Sequence, residues 1–295
     1  MTVSLKNVEV AANSRCQLGE GPVWDLEQDR LHFVDIFGKM VYTFKPSANT
    51  LDSFPTELSP GAVIPTNESN LLLAMNDGIY LVDFNGENLE LLLAIEREIP
   101  SNRMNDAKCD AMGRLLGGTM GDGERSTGSF YLIANGKCAR IRESVTVSNG
   151  IAWNLENDVI YYIDSALNSV LSSAYSLNNP TSIDFKTFIE FPATFGIPDG
   201  MCSDKDGGIW VAFFGGSVVR RFSKEGKLTH TIEMPVNQIT SCAFETGTSK
   251  LFITTASLNI EGKELSSLAG NLFCIDVGIE GVPVSKFDLK SFRAR

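Results

Sequence analysis

The sequence predicts an all-β protein, a six-bladed β-propeller with four-stranded blades around a central channel. Six segments share one pattern and recur at intervals of 40 to 50 residues along the 295-residue chain. Several strands in units of about 45 residues are the signature of a propeller. Helix signals are scarce, because few caps lead into apolar stripes of period 3.6. Residues 86–98 are the one segment where a short helix is plausible.

Each repeat has the same parts in the same order. A short alternating run comes first, a polar turn follows, and a denser apolar run comes next, as in "NGIAWNLENDVIYYID". The turns carry Asp, Asn, Gly, Glu or Ser, which are residues that hairpins prefer. A third run usually follows, such as "GSFYLIA" or "SVVRRFS". The six units begin near Gly21, Gly61, Asn105, Asn149, Asp199 and Thr240.

We expect one domain over residues 1–295. No linker rich in Pro, Ser or Gly divides the chain, although two all-β domains are an alternative that the length allows. The opening stretch "SLKNVEVAAN" is expected to form a strand that completes the last blade beside "GNLFCID". Closing the ring in this way would protect a strand edge that is otherwise open.

Composition argues against several classes of function. The net charge of −11 disfavours nucleic acid and anionic membranes as partners. The two histidines, His32 and His230, are too few for a three-histidine zinc site and argue against a Ser-His-Asp triad. The six cysteines lack any CxxC pair and are expected to be free core residues in a reducing compartment. Without a membrane-spanning run or a signal-peptide pattern, we expect a cytoplasmic protein.

The residues that open the repeats are expected to meet, because the first strand of each propeller blade lines the channel. Two carboxylates in one partly dry cleft are costly unless a cation or a proton offsets them. Oxygen ligands suit Ca²⁺, Mg²⁺ or Mn²⁺, so one interpretation is a divalent-cation site. The other is that each Asn-Gly or Asp-Gly pair is an ordinary turn. The predicted ring holds Glu20, Asn105, Asn149, Asp199 and Thr240 or Ser241, and blade two offers only Ser59-Pro60-Gly61.

The phrases around these residues resemble a known family, the gluconolactonase, regucalcin (senescence marker protein) and luciferin-regenerating enzyme group. The resemblance implies a six-bladed propeller, in agreement with the repeat count, and a metal-dependent hydrolase that acts mostly on sugar lactones. The matching phrases fall in order over nearly the whole chain: "LGEGPVWD" (18–25), "NRMNDAKCDAMGRLLGGTM" (102–120), "SNGIAW" (148–153), "YYIDS" (161–165), "PDGMCSDKDGGIWVAFFGG" (198–216) and "TSCAF" (240–244).

The resemblance also implies roles for individual residues. Glu20, Asn149 and Asp199 would hold a single divalent cation, and Asp199 would also act as the acid/base. Arg103 and Asn105, in the RxN phrase, would contact the substrate.

One stretch departs from the family pattern. Some members have a substrate-contacting Glu shortly after the GTM phrase, but here that stretch is short and reads "GTMGDGERSTGS". Glu124 or Asp122 could fill the role, or neither. The departure leaves the identity of the substrate open.

The sequence therefore predicts a hydrolase that opens a small-molecule sugar lactone with the help of one divalent cation. Hard oxygen ligands favour Ca²⁺ first, with Mg²⁺, Zn²⁺ and Mn²⁺ as open alternatives. We expect a monomer or a weak homodimer. Two alternative functions are a non-catalytic calcium-binding or scaffold propeller and a hydrolase of the same fold that acts on another ester.

Overall fold

The computed structural model describes residues 2–260 and 264–294 and confirms the six-bladed propeller. Two strands, β1 (Val3–Leu5) and β2 (Glu9–Ala12), precede the first blade. Blades one to three are built from β3 (Gly19–Asp25), β4 (Arg30–Asp35), β5 (Met40–Lys45), β6 (Thr50–Pro55), β7 (Ala62–Pro65), β8 (Leu71–Met75), β9 (Gly78–Val82), β10 (Glu90–Ala94), β11 (Arg103–Cys109), β12 (Leu115–Met120), β13 (Gly128–Ala134) and β14 (Lys137–Val145). Blades four to six add β15 (Ser148–Trp153), β16 (Val159–Asp164), β17 (Ser169–Ala174), β18 (Lys186–Glu190), β19 (Ile197–Ser203), β20 (Ile209–Phe214), β21 (Val218–Phe222), β22 (Leu228–Glu233), β23 (Ile239–Phe244), β24 (Lys250–Thr255) and β25 (Leu272–Asp276).

The first strands of the blades surround the central channel. Each contacts the first strands of both neighbouring blades, so that β3, β7, β11, β15, β19 and β23 close a ring. The remaining strands of each blade pair antiparallel in order towards the outside. Residues at the same position in each repeat therefore lie at the same height along the channel axis. All six strand starts lie at one mouth of the channel.

The two ends of the chain meet in blade six. The N-terminal strand β2 pairs antiparallel with β25, with Glu9 opposite Cys274 and Val10 opposite Phe273. The shorter β1 continues past this blade and adds to the outer edge of blade five, parallel to β22. The single domain over residues 1–295 stays a prediction.

Large apolar side chains pack between neighbouring blades. Trp24 of blade one stacks on Phe252 of blade six with ring centroids 5.9 Å apart. Phe130 of blade three and Tyr162 of blade four lie 4.5 Å apart, and both are fully buried. Burial of each such side chain is worth about 1.5–3 kcal/mol. This packing fixes the blades relative to one another and so holds the strand starts in place.

Two short elements differ from the sequence-based expectation. The plausible helix over residues 86–98 is wrong, because Glu90–Ala94 forms β10, which pairs with β9 at the outer edge of blade two. The backbone groups on the outer side of β9 are free to pair with this segment. That pairing outweighs the weak helix preference of the short apolar run. The helix α1 (Leu289–Arg293) begins at Asp288, whose side chain accepts a hydrogen bond from Ser291 N. Among the described residues, no helix has the length and apolar character needed to cross a bilayer.

The segment after β25 crosses the mouth opposite the strand starts. Val282 N donates to Ser203 O at the end of β19, at 3.0 Å, and Phe287 N donates to Pro65 O at the end of β7, at 2.9 Å. Lys286 forms an ion pair with Asp25, the last residue of β3, at 2.9 Å. The chain therefore covers the far mouth of its own channel.

Candidate active site

A β-bulge lies near the start of five of the six channel-lining strands. The pairing register shifts between Glu20 and Val23 in β3, and it shifts at the equivalent place in β11, β15, β19 and β23. A bulge bends its strand and re-aims a side chain, which is why bulges are frequent next to active sites. The repeated polar residues near the strand starts therefore lie where the backbone is irregular.

The Asn-Gly and Asp-Gly pairs are part of strands, so the ordinary-turn interpretation is wrong for them. Asn149 and Gly150 lie within β15, and Asp199 and Gly200 lie within β19. A Cβ atom on Gly150 would lie only 2.6 Å from the carbonyl oxygen of Asp199. Glycine at this position lets two neighbouring blades approach closely at the channel.

Glu20, Asn149 and Asp199 come from three different blades and are all at least nine-tenths buried. The Asn149 amide donates to Ser165 Oγ at 3.1 Å, and Ser165 Oγ donates in turn to Pro198 O at 2.7 Å. Asn149 Oδ1 and Asp199 Oδ1 have no hydrogen-bond partner among the described residues. Unpartnered buried oxygens are unusual and need an explanation, and a hard cation is one that satisfies them.

These three residues fit a divalent cation by the chemistry of their donors. Two carboxylates and one amide oxygen form an all-oxygen set, which Ca²⁺ and Mg²⁺ prefer. Within residues 2–260 and 264–294, no cluster of three His, Cys, Asp or Glu side chains could hold a metal. The proposed cation ligands therefore include the amide oxygen of Asn149 as well as the two carboxylates. This ligand set stays a prediction.

Burial and mutual repulsion favour the protonated forms of the two acids. Burial, followed by the charge of Asp106, raises the pKa of Glu20, while Gly21 N and Arg103 oppose this shift. Burial and the Glu20 carboxylate raise the pKa of Asp199 well above its ordinary value, against a smaller opposing effect of Asn149. Two acids of raised pKa at one mouth are typical of a functional site.

Arg103 is oriented by Asn105 beside these acids. Arg103 Nη1 donates to Asn105 Oδ1 at 2.6 Å and to Met104 O at 3.1 Å, and Asn105 Nδ2 donates to Ser148 O at 2.7 Å. Burial lowers the pKa of Arg103 to about 10, while Glu20 and Asp199 act in the opposite direction. The guanidinium thus stays charged at neutral pH, and Asn105 is engaged in holding it.

Glu124 and Asp122 lie in the loop between β12 and β13 and are exposed. Asp122 Oδ1 accepts hydrogen bonds from Glu124 N and Arg125 N, both at 3.0 Å, and Asp122 Oδ2 accepts from Arg125 Nε at 2.8 Å. Asp122 therefore stabilises its own loop. The Glu124 side chain makes no hydrogen bond to the described residues, so its predicted contact with substrate stays a prediction.

Ser165 is a site residue that the sequence reasoning missed. It begins the 3₁₀ turn Ser165–Leu167 after β16 and positions the amide of Asn149. The phrase "YYIDS" contains this serine, but no spacing rule connects it to an asparagine 16 residues earlier. The pairing of β15 with β16 is what brings the two together.

In protein freed of metal by a chelator, we expect stability to fall as pH rises. The pKa of Glu20 is raised from 4.5 to about 8. Between these values the folded protein keeps a proton that the unfolded chain has released, so the free energy of unfolding decreases with pH. The melting temperature should drop by several degrees from about pH 5.5 to about pH 8.5, and Glu20→Gln, which cannot ionise at this position, should show a smaller drop. Identical pH profiles for the two proteins would contradict the raised pKa.

The chain is similar to several known proteins over most of its length. A profile described as the "SMP-30/Gluconolactonase/LRE-like region" matches residues 18–257. The chain is 34% identical to the "Putative sugar lactone lactonase YvrE" of Bacillus subtilis, over 92% of this chain and 96% of that protein. It is 31% identical to regucalcin of Xenopus laevis, over 95% and 98% of the two chains. A solved structure of a luciferin-regenerating enzyme superposes with a TM-score of 0.90 at 28% identity, covering 96% of this chain and 99% of that one.

Proposed function

Because the chain belongs to the SMP-30/gluconolactonase/LRE-like family, we propose that it hydrolyses sugar lactones with one divalent cation held by Glu20, Asn149 and Asp199. The observation that carries this proposal is the pair of unpartnered oxygens, Asn149 Oδ1 and Asp199 Oδ1, buried at one mouth of the channel. The name of the Bacillus subtilis relative supports a sugar lactone as the substrate. Ca²⁺ is the ion that this donor set favours first.

Lactone hydrolysis requires a polarised carbonyl, an activated water and a group that moves a proton. When bound, the cation would supply Lewis-acid polarisation and would acidify water at the site. The Asp199 carboxylate takes a proton from the attacking water and returns it to the ring oxygen as the C–O bond breaks. A bound cation would lower the proton affinity of Asp199, and burial and the neighbouring Glu20, which raise its pKa, oppose that effect.

Arg103 binds and orients the substrate in this proposal. Its planar charged guanidinium suits sugar hydroxyls, the developing oxyanion or the carboxylate of the product. Asn105 acts on the reaction by holding Arg103, since the amide oxygen of Asn105 accepts from Arg103 Nη1. Glu124 remains a candidate for a further substrate contact from the exposed loop after β12.

An ester with an apolar group is a second candidate substrate. Ile197, two residues before Asp199, is 50% exposed, and Leu167, at the end of the turn that begins at Ser165, is 47% exposed. Exposed apolar side chains beside a polar site favour a ligand with an apolar part.

The proposal is tested by lactone turnover on chelator-treated protein that is re-supplied with Ca²⁺, Zn²⁺, Mg²⁺ or Mn²⁺ in turn. Acid release from D-glucono-1,5-lactone, pentonolactones and an aryl ester is measured against uncatalysed hydrolysis at the same pH. We expect chelation to lower sugar-lactone turnover by at least about 100-fold and one ion to restore it. Turnover that is insensitive to chelator would contradict the cation. Ca²⁺ binding without hydrolysis of any compound would instead identify a non-catalytic calcium-binding propeller.

A further inference from the structure

Two polar side chains occupy a level of the channel that glycine occupies elsewhere. The residue directly after the entrance position is Gly21, Gly61, Gly150 or Gly200 in four blades, but it is Asp106 in blade three and Ser241 in blade six. Asp106 is 4% exposed and Ser241 is 1% exposed. Neither carboxylate oxygen of Asp106, nor Ser241 Oγ, has a hydrogen-bond partner among the described residues.

Asp106 is surrounded by more negative than positive charge. Its carboxylate contributes to the raised pKa values of both Glu20 and Asp199. The opposing cation is Lys108, whose Nζ donates to the carbonyl oxygen of Met201. Asp106 and Lys108 line one small cavity in the channel, together with Gly21 and Ser285 of the C-terminal segment.

A buried carboxylate without a partner destabilises a metal-free protein, because desolvation is not offset. The pKa of Asp106 is raised chiefly by burial, while Lys108 and the nearby N–H groups of Ala107 and Ile151, neither of them in hydrogen-bond geometry, only partly oppose this. Glycine at this position in four of the other five blades shows that the channel does not require a side chain there. The carboxylate therefore needs a reason other than packing.

We propose that Asp106 is a positioning residue for the cation site, which strengthens cation binding by adding a third negative charge beside Glu20 and Asp199 without itself being a ligand. The inference rests on the proposed function, since it concerns the same cation. In the low-dielectric channel a nearby unit charge acts strongly on a divalent ion. The same charge is unfavourable when the cation is absent, so affinity and metal-free stability should change in opposite directions.

The test is Asp106→Asn, which keeps the shape of the side chain and removes its charge. Chelator-treated full-length protein is titrated with Ca²⁺ in a calorimeter, and melting temperatures are measured with and without Ca²⁺. We expect Ca²⁺ binding to weaken by about 10- to 100-fold. The metal-free melting temperature should stay the same or rise, and the increase on adding Ca²⁺ should shrink.

Asp204→Asn is the control, because Asp204 is also a fully buried carboxylate but lies just after the far end of β19. It should leave the dissociation constant for Ca²⁺ nearly unchanged. The inference is overturned if Asp106→Asn binds Ca²⁺ as tightly as the wild type, or if it merely lowers the metal-free melting temperature. An equal loss of affinity in Asp204→Asn would also overturn it, by showing a general effect of removing a buried acid.

The failure of this inference is distinguishable from failure of the proposed function. If the wild type binds Ca²⁺ and hydrolyses lactones while Asp106→Asn binds equally well, only the role of Asp106 is wrong. If the wild type binds none of the four divalent ions, the cation site and the role of Asp106 fall together.

Discussion

Replacing Asp199 with asparagine is expected to lower kcat for lactone hydrolysis by roughly 10²–10⁴-fold. Asparagine keeps a side-chain oxygen for a cation but cannot accept and return a proton at neutral pH. Asp199 lies at the mouth where Glu20 and Asn149 also lie, and the neighbouring Glu20 charge favours its protonated form. The variant should therefore remain slow even when enough cation is supplied to saturate the site.

The measurement is kcat at saturating cation, with Ca²⁺ affinity followed by calorimetry on the same preparation. The control is Asp204→Asn, since Asp204 is a fully buried carboxylate just after the far end of β19. Asp204 accepts hydrogen bonds from Trp210 Nε1 at 2.8 Å and from Arg221 Nε at 2.6 Å. Its loss should lower the melting temperature without a comparable loss of kcat. Near-normal turnover in Asp199→Asn would remove this residue from the mechanism.

Glu20→Gln is expected to weaken divalent-cation binding by at least about 100-fold, because it removes one of the two carboxylate charges placed on the ion. Glutamine can still accept the hydrogen bond that Gly21 N donates to Glu20 Oε2 at 3.0 Å, so the local backbone should be preserved. Turnover should fall at low Ca²⁺ and recover in part when Ca²⁺ is raised.

The decisive measurement is the dependence of turnover on Ca²⁺ concentration for wild type and Glu20→Gln. A shift of the curve to higher Ca²⁺ with similar maximal turnover indicates a role in holding the ion. A lower maximum with an unshifted curve would show that Glu20 acts on the reaction and that the proposed ligand set is wrong. Asp199→Asn removes the other carboxylate charge, so it should shift the curve to higher Ca²⁺ and also lower the maximum, whereas Glu20→Gln should shift the curve alone.

The position of each predicted site residue depended differently on sequence and structure. The repeat predicted that Glu20, Asn105, Asn149 and Asp199 lie in one ring, because the same position in each repeat lies at the same height in a propeller. The family resemblance is what implied Glu20, Asn149 and Asp199 as the ligand set. Arg103 contacts Asn105, which is two residues later in the same strand, β11. This contact therefore requires only local strand structure. The partner of Asn149 could not be predicted, since Ser165 reaches it through the pairing of two strands.

For the loop that carries Asp122 and Glu124, the sequence pattern did not predict which of the two acids is free to contact a ligand. The sequence left both acids as candidates, and the structure engages Asp122 with Arg125 inside the loop. A loop of this length can satisfy its own polar groups, so composition alone does not show which side chain remains free for a ligand.

By itself, the sequence determined the six-fold repeat, the all-β class and the set of oxygen-bearing residues at one mouth of the channel. These properties follow from periodicity and residue type, which are local. The tertiary structure alone decided that the C-terminal segment covers the far mouth and that β1 joins blade five. It alone also decided that Asn149 Oδ1, Asp199 Oδ1 and the Asp106 carboxylate find no hydrogen-bond partner within residues 2–260 and 264–294. Burial and hydrogen bonding depend on which distant strands lie side by side, and the amino-acid sequence does not state directly which strands are neighbours.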